Sequence, residues 1–514
     1  MPQSVRNEPV FELIKSMTKA EKRNFKLYAR RLEGNQQAKF IDLFDQMDGE
    51  ERYDEAKILL RCPIKKEQLP NMKAHLYRQI LISMRLLDVQ RSEIMQMHEQ
   101  LDFATMLYNK GLYKQSERIL EKVDQRTIER ELYSPALEVI GLRNKIATLN
   151  ITRGTIPASV TASRRMAEIC AQIERISELS SIAVTAYSLY HQLGYARTQK
   201  DIDMLARYFK PRLEAYDRAQ MSFNEKFHYY QAYAWFYYVQ YDFVRSYRYS
   251  QLWVGLFEAD PSRKREMYDD YMKGAAQILE GLYLMRRYRQ FNERFEYFRD
   301  EFSELAALNT NAYILANRIL YVNLIHKYFM EGEFLRGVAL VGEIEEFLNK
   351  YSPHLDIRYK MLVYYKIACL YFGAGEYTRC MEYLARITGT KDPGVGRDLQ
   401  CFSRMLNLIA SYEAGIDYNF DYQIRSVYSF LVKMKDMHHV QKEILSFLKK
   451  LGSIYADDWK KELSVLHNRL KPYESHPYER RTFLYLDILS WLESKITGHS
   501  VSEIVKHKFQ TLSR

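Results

Sequence analysis

Apolar residues recur three and four positions apart along most of the chain. In residues 227–253, FHYYQAYAWFYYVQYDFVRSYRYSQLW, Tyr230, Tyr233, Ala234 and Tyr237 stand at i, i+3, i+4 and i+7. Phe243, Tyr247 and Ser250 resume the stripe beyond a short break. This is the period of a helix with one buried face. Tyrosine and phenylalanine have no helix preference of their own, so packing must hold such segments helical. No run of four to eight β-branched residues is bounded by turn signals, and the expected fold is all-α with essentially no sheet. Near the start, SMTKAEKRNFKLYARRL (16–32) places Thr18 three residues before Glu21, a capping box. Phe25, Tyr28, Ala29 and Leu32 then form an apolar stripe, while Lys19, Arg23, Lys26 and Arg30 line another face. YDEAKILLRC (53–62), a break at Pro63 and EQLPNMKAHLYRQILISMRLLD (67–88) predict a short helix, a turn and a longer helix.

A second pattern repeats on a longer scale. Eight and seven residues before Gly375 stand Ile367 and Ala368; Tyr371 is four before, Tyr377 two after, Cys380 five after and Leu384 nine after. The same offsets from Gly332 give Leu324, Ile325, Tyr328, Phe334, Gly337 and Val341, and from Gly111 they give Phe103, Ala104, Leu107, Tyr113, Ser116 and Leu120. A small residue allows two antiparallel helices to approach, and glycine permits the tight turn between them. The aromatics then fill the wedge where one helix pair meets the next. Steps of 43 to 46 residues connect Gly111, Gly154, Arg197, Tyr241, Arg286, Gly332, Gly375 and Tyr418.

These strings resemble the tetratricopeptide repeat, whose helix–turn–helix unit carries small, aromatic and glycine positions in this order. The step exceeds the roughly 34 residues of the standard repeat; HEAT and armadillo units run to about 40–47 but lack the Ala-x-x-aromatic-x-x-x-Gly-x-aromatic order. The resemblance implies a right-handed superhelical solenoid of antiparallel helix pairs with long repeats. We place it at 99–440, after an N-terminal helical module (1–98) and before C-terminal capping helices (441–514) that cover the apolar end of the stack. The last residues, KHKFQTLSR, are expected to fray.

Composition narrows the function classes without selecting one. Of 514 residues, 47% are hydrophobic and 27% charged, ordinary for a folded chain, and the 42 tyrosines point to half-buried seams or a binding surface. No signal peptide or membrane-spanning stretch is legible, so a cytoplasmic protein is expected. The net charge of +11 is spread along the chain and permits an acidic protein, nucleic acid or membrane surface as partner. Cys62, Cys170, Cys369, Cys380 and Cys401 form no CxxC spacing and read as small core residues.

Catalytic and metal motifs fall short. HEQLD (98–102) has Asp102 where a zinc-protease helix needs histidine. GTKDPGVG (389–396) has Val395 and Gly396 where a phosphate loop needs Lys and Ser/Thr, and His438–His439 lack spaced ligand partners. No catalytic residue, cofactor or metal is expected. In tetratricopeptide arrays the first helix of each pair lines a concave groove. The resemblance therefore implies partner contacts at Gln231, Trp235 and Tyr238; at Lys273, Gln277, Glu280 and Tyr283; at Asn323, His326 and Phe329; and at Tyr365, Lys366, Cys369 and Phe372. Rings give contact area and amides pair with a peptide backbone. The plainer alternative is that half of these pack against neighbouring helices. The spaced lysine–asparagine clamp of some family members is not evident, since Asn144 and Lys145 are adjacent. The expected function is a non-catalytic scaffold or adaptor holding a protein segment. The alternative is a nucleic-acid-associated regulator that contacts DNA or RNA through Lys19, Arg23, Lys26 and Arg30, or through Lys73, His75 and Arg78 on the 67–88 helix.

Overall fold

The structure is a computed structural model of the 514-residue chain. It describes residues 8–31, 36–62, 64–89, 92–149, 155–196, 198–390, 396–416, 419–434, 439–450, 458–476, 479, 483 and 487–512. Among these there is no strand; helices follow one another in series from Pro9 to Leu512. No helix among them is long and apolar enough to cross a membrane. The chain divides into two compact units, residues 1–174 and 175–514.

In the first unit, the helix Lys19–Ala29 begins at the predicted capping box. Glu21 N donates to Thr18 Oγ1 (3.2 Å) and Thr18 N donates to Glu21 Oε2 (2.6 Å). Phe25 and Ala29 on its stripe are buried, with Phe25 against Phe40 and Phe44, and the Tyr28 hydroxyl donates to Gln79 (2.8 Å). Leu32 lies outside the described residues. The helices Glu55–Arg61 and Leu69–Asp88 flank the break at Pro63.

The repeat governs how helices are joined. Gly111, Tyr241, Arg286, Gly332 and Gly375, all members of one sequence series, have φ of +73°, +63°, +55°, +69° and +82°. After each, the next backbone N–H donates to the carbonyl five positions earlier, at 2.9–3.0 Å: Leu112 to Leu107, Asp242 to Tyr237, Arg287 to Leu282, Glu333 to Tyr328 and Glu376 to Tyr371. This bond satisfies a carbonyl that the end of the helix leaves free. Gly154, Arg197 and Tyr418 lie outside the described residues. Left-handed turns occur instead at Gly194 and Gly415, three positions before Arg197 and Tyr418, so the register slips there.

The positions seven before and five after each turn are buried in all five cases: Ala104 and Ser116, Ala234 and Ser246, Leu279 and Phe291, Ile325 and Gly337, Ala368 and Cys380. Where both are small, the second helix reaches the first directly. Ser116 Oγ donates to the Ala104 carbonyl and Ser246 Oγ to the Ala234 carbonyl, each at 2.8 Å. The aromatic two after the turn seals the junction with the next pair: Phe334 presses on Gly373, where an added Cβ would lie 2.5 Å from its ring.

Two expectations are corrected. The tail does not fray over its described residues: Val501–Leu512 is a helix that docks at the Gly332 turn. Ser502 Oγ donates to the Gly332 carbonyl (2.7 Å), Lys506 meets Glu333 (3.2 Å), and Phe509 packs edge-on against Tyr288. The apolar residues Val501, Val505 and Phe509 help hold it, since together they form one half-buried helical face. Cys170 is exposed, unlike buried Cys62, Cys380 and Cys401. It follows buried Ile169 and is turned from it by about 100° around the helix.

The two glycine turns separate backbone strain from packing. Gly375→Ala has open space for its Cβ and should cost only the left-handed penalty, about 1–2 kcal/mol. Gly332→Ala adds a Cβ 2.9 Å from backbone atoms of Ser502 and Lys506. A thermal scan should show the larger fall in Tm for Gly332→Ala, with faster proteolysis of the C-terminal helix only in that variant.

Candidate functional site

A cavity of about 1170 Å³ lies within the second unit. Four helices supply most of its wall: Phe223–Val239, Tyr268–Leu284, Thr310–Glu331 and Ile357–Gly373. Each precedes one of the left-handed turns, and the lining residues fall at matching distances from them. Trp235, Glu280 and Cys369 are six residues before their turns, and Tyr238, Tyr283, Phe329 and Phe372 are three before. A helix repeats its faces at three- and four-residue intervals, so a common offset from a common turn aims each side chain to one side.

Of the residues expected to contact a partner, Gln231, Trp235, Tyr238, Lys273, Gln277, Glu280, Tyr283, Asn323, Phe329, Tyr365, Lys366, Cys369 and Phe372 all line this one cavity. Their exposure differs. Trp235, Glu280, Tyr283, Lys366 and Cys369 are half-buried, whereas Tyr238, Gln277, Asn323, Tyr365 and Phe372 are buried in the wall itself. His326 is wholly buried, one layer behind the surface.

A polar network runs through the wall, taking a residue from each helix in turn. The Tyr195 hydroxyl donates to that of Tyr238 (2.9 Å), and the Tyr238 hydroxyl approaches Glu280 Oε1 at 3.4 Å. Glu280 Oε2 lies 3.7 Å from His326 Nδ1, and Lys366 Nζ donates to His326 Nε2 at 2.5 Å. The His326 ring stacks flat on Tyr283, with centroids 3.8 Å apart. Lys366 Nζ stands 5.7 Å from the centroid of the same tyrosine ring, within reach of a cation–π attraction.

Burial governs the protonation of these groups. It pushes the His326 imidazole well below its ordinary range, and the Lys366 charge acts in the same direction. The ring is therefore neutral; accepting from Lys366 at Nε2, it carries its own proton on Nδ1, facing Glu280. Glu280 is surrounded by protein, yet 31% of its side-chain surface faces the cavity; burial raises its pKa, against the pull of Lys366 and Tyr238. Burial lowers that of Lys366, with Glu280 opposing. Burial also pushes the Cys369 thiol up to about 12, which leaves it a poor nucleophile. Gln277 Nε2 and Asn323 Oδ1 are shut off from solvent without a hydrogen-bond partner among the described residues.

Part of the wall escaped the sequence reading. The end of the helix Thr155–Leu193 contributes Tyr187, Tyr190 and His191, and the loop after it Tyr195. Tyr187 and Tyr190 pack against Trp235 at centroid distances of 4.7 and 5.7 Å. A signal was available: Gln231 and Trp235 stand ten and six before Tyr241, and the same offsets from Arg197 fall on Tyr187 and His191. The C-terminal helix adds Val501, Val505, Lys508 and Phe509, which no local pattern marks as cavity residues.

The basic face of the first unit is less free than its sequence suggests. Lys26 is paired with Asp45 (2.7 Å) and lies over the Phe44 ring; Lys19, Arg23 and Arg30 are exposed. Lys73 is held by Glu8 (2.7 Å) and the Tyr53 hydroxyl (3.1 Å), and His75 meets the Phe40 ring edge-on. His438 and residues 391–395 of the 389–396 segment lie outside the described residues. The chain matches no protein-family model, no curated protein and no solved structure.

His191 ties the cavity wall to acid stability. Burial, and then the neighbouring Arg358 charge, lower it from 6.5 to about 4. The unfolded chain takes up this proton below 6.5 but the folded chain only near 4, so stability present above 6.5 is lost as the pH falls through that window. The Tm of His191→Gln should therefore drop less than that of the parent between neutral pH and about pH 5, as read by thermal scans at fixed ionic strength.

Proposed function

We propose that the chain is a non-catalytic scaffold or adaptor that holds a segment of a partner protein against the cavity wall of its second unit. In this reading the helix pairs form a right-handed tetratricopeptide-like solenoid, and the cavity is the deep part of its concave groove. The observation that supports it is the convergence of equivalent repeat positions on one cavity, with large rings at several of the accessible ones. Trp235, Tyr187 and Tyr283 offer broad, stiff contact area at little cost in side-chain entropy, the usual composition of an anchoring surface. The raised thiol of Cys369 and the neutral, fully buried imidazole of His326 suit a binding wall better than a nucleophilic centre. A cytoplasmic location belongs to the same proposal. The nucleic-acid reading draws less support, because Lys26 and Lys73 already have acidic partners within their own unit.

Peptides selected from a displayed random library on the purified full-length protein test this. Trp235→Ala should weaken selected peptides by about 2 kcal/mol or more, with affinity nearly independent of salt. Selected peptides unaffected by Trp235→Ala would overturn the reading. So would generic DNA binding that falls steeply with salt and vanishes on charge reversal at Arg23, Lys26 and Arg30.

A further inference from the structure

Glu280 and Lys366 carry opposite charges, come from different helices and line the same cavity, yet they do not pair. His326 stands between them. Lys366 spends one of its three N–H groups on His326 Nε2 and has no carboxylate within 4.0 Å among the described residues. Glu280 has no ammonium or guanidinium within that distance among them; its contacts are a 3.4 Å approach from Tyr238 and a 3.7 Å approach from a neutral imidazole. Each feels the other's charge only across His326 and neither has an oppositely charged group in contact, so both favour a ligand that supplies one.

The sign of that ligand follows from their proximity. A simple anion on Lys366 would bring negative charge beside Glu280, and a simple cation on Glu280 would bring positive charge beside Lys366. An apolar molecule would leave both uncompensated. A molecule with an ammonium and a carboxylate on one carbon meets both at once, and its charges cancel within the low-dielectric cavity. The lining of the same cavity includes apolar Phe329, Leu362, Phe372 and Leu406, which can meet an apolar or aromatic side chain.

We propose that the floor of the cavity binds a free α-amino acid with an apolar or aromatic side chain, its ammonium on Glu280 and its carboxylate on Lys366. The two remaining N–H groups of Lys366 donate to the carboxylate, and the ligand ammonium donates to Glu280, which stays ionised against it. Such a molecule fills only a fraction of about 1170 Å³. The site does not depend on the partner segment proposed above, and its test uses free amino acids alone.

Titration calorimetry on the full-length protein, with L-phenylalanine, L-leucine, N-acetyl-L-phenylalanine and L-phenylalaninamide at millimolar concentration, decides the matter. Saturable binding of at least one free amino acid is expected, with L-phenylalanine losing roughly tenfold in affinity or more when either end is blocked. Lys366→Met should abolish the preference for the acid over the amide, and Glu280→Gln the preference for the free over the acetylated amine. Equal binding of blocked and free forms would overturn the proposal, as would no binding of any apolar or aromatic amino acid. Because the blocked ligands are tested on the unaltered protein, the result stands even where a variant fails to fold.

Discussion

Five joints between successive helices rest on one residue in the left-handed region and one hydrogen bond across it. The bond from the N–H after Gly111, Tyr241, Arg286, Gly332 or Gly375 to the carbonyl five positions back ends the first helix at a fixed residue. The second helix then starts in the same place relative to the first every time. That fixed geometry lets Ser116 and Ser246 reach the equivalent carbonyls of Ala104 and Ala234. The conformation matters more than the residue type, because Tyr241 and Arg286 adopt it despite the steric cost of a Cβ. Tyr241 is compensated by burial and by stacking on Tyr195 at 4.3 Å.

A regular joint has a consequence for the surface beyond it. If every first helix stops in register, residues at one offset from the stop face one way, and a side chain chosen at each offset builds a continuous wall. Here the wall combines rings with a polar chain from Tyr195 through Tyr238, Glu280 and His326 to Lys366. Such a chain is costly to bury, and hydrophobic residues of similar volume would often stabilise the fold at least as well. Glu280 and Lys366, which have no oppositely charged group in contact among the described residues, together with Gln277 Nε2 and Asn323 Oδ1, mark the region where packing alone does not account for the choice of side chains.

The C-terminal helix imposes a different constraint. It closes one side of the cavity through Val501, Val505 and Phe509, and its backbone comes so near the Gly332 turn that no side chain fits there. Gly332 thus serves two purposes that the repeat alone does not distinguish: it supplies the left-handed turn, as Gly375 does, and it leaves room for a distant helix, as Gly375 does not.

What depends on near neighbours was legible in the sequence. Helical period, the Thr18 capping box, the turn glycines and the inward offsets all arise from residues within about two turns of one another. The cavity residues from Gln231 to Phe372, His326 apart, were pointed to by these offsets together with the resemblance to tetratricopeptide arrays, and the same offsets one repeat further back fall on Tyr187 and His191. What depends on distant parts of the chain was decided by tertiary structure alone. Nothing local indicates that the tail returns to Gly332, that Cys170 faces outward, that Lys26 finds Asp45, or that His326 lies behind the wall and holds Glu280 and Lys366 apart. Those outcomes follow from how whole helices settle against each other, where burial and charge are shared among residues that the sequence keeps far apart.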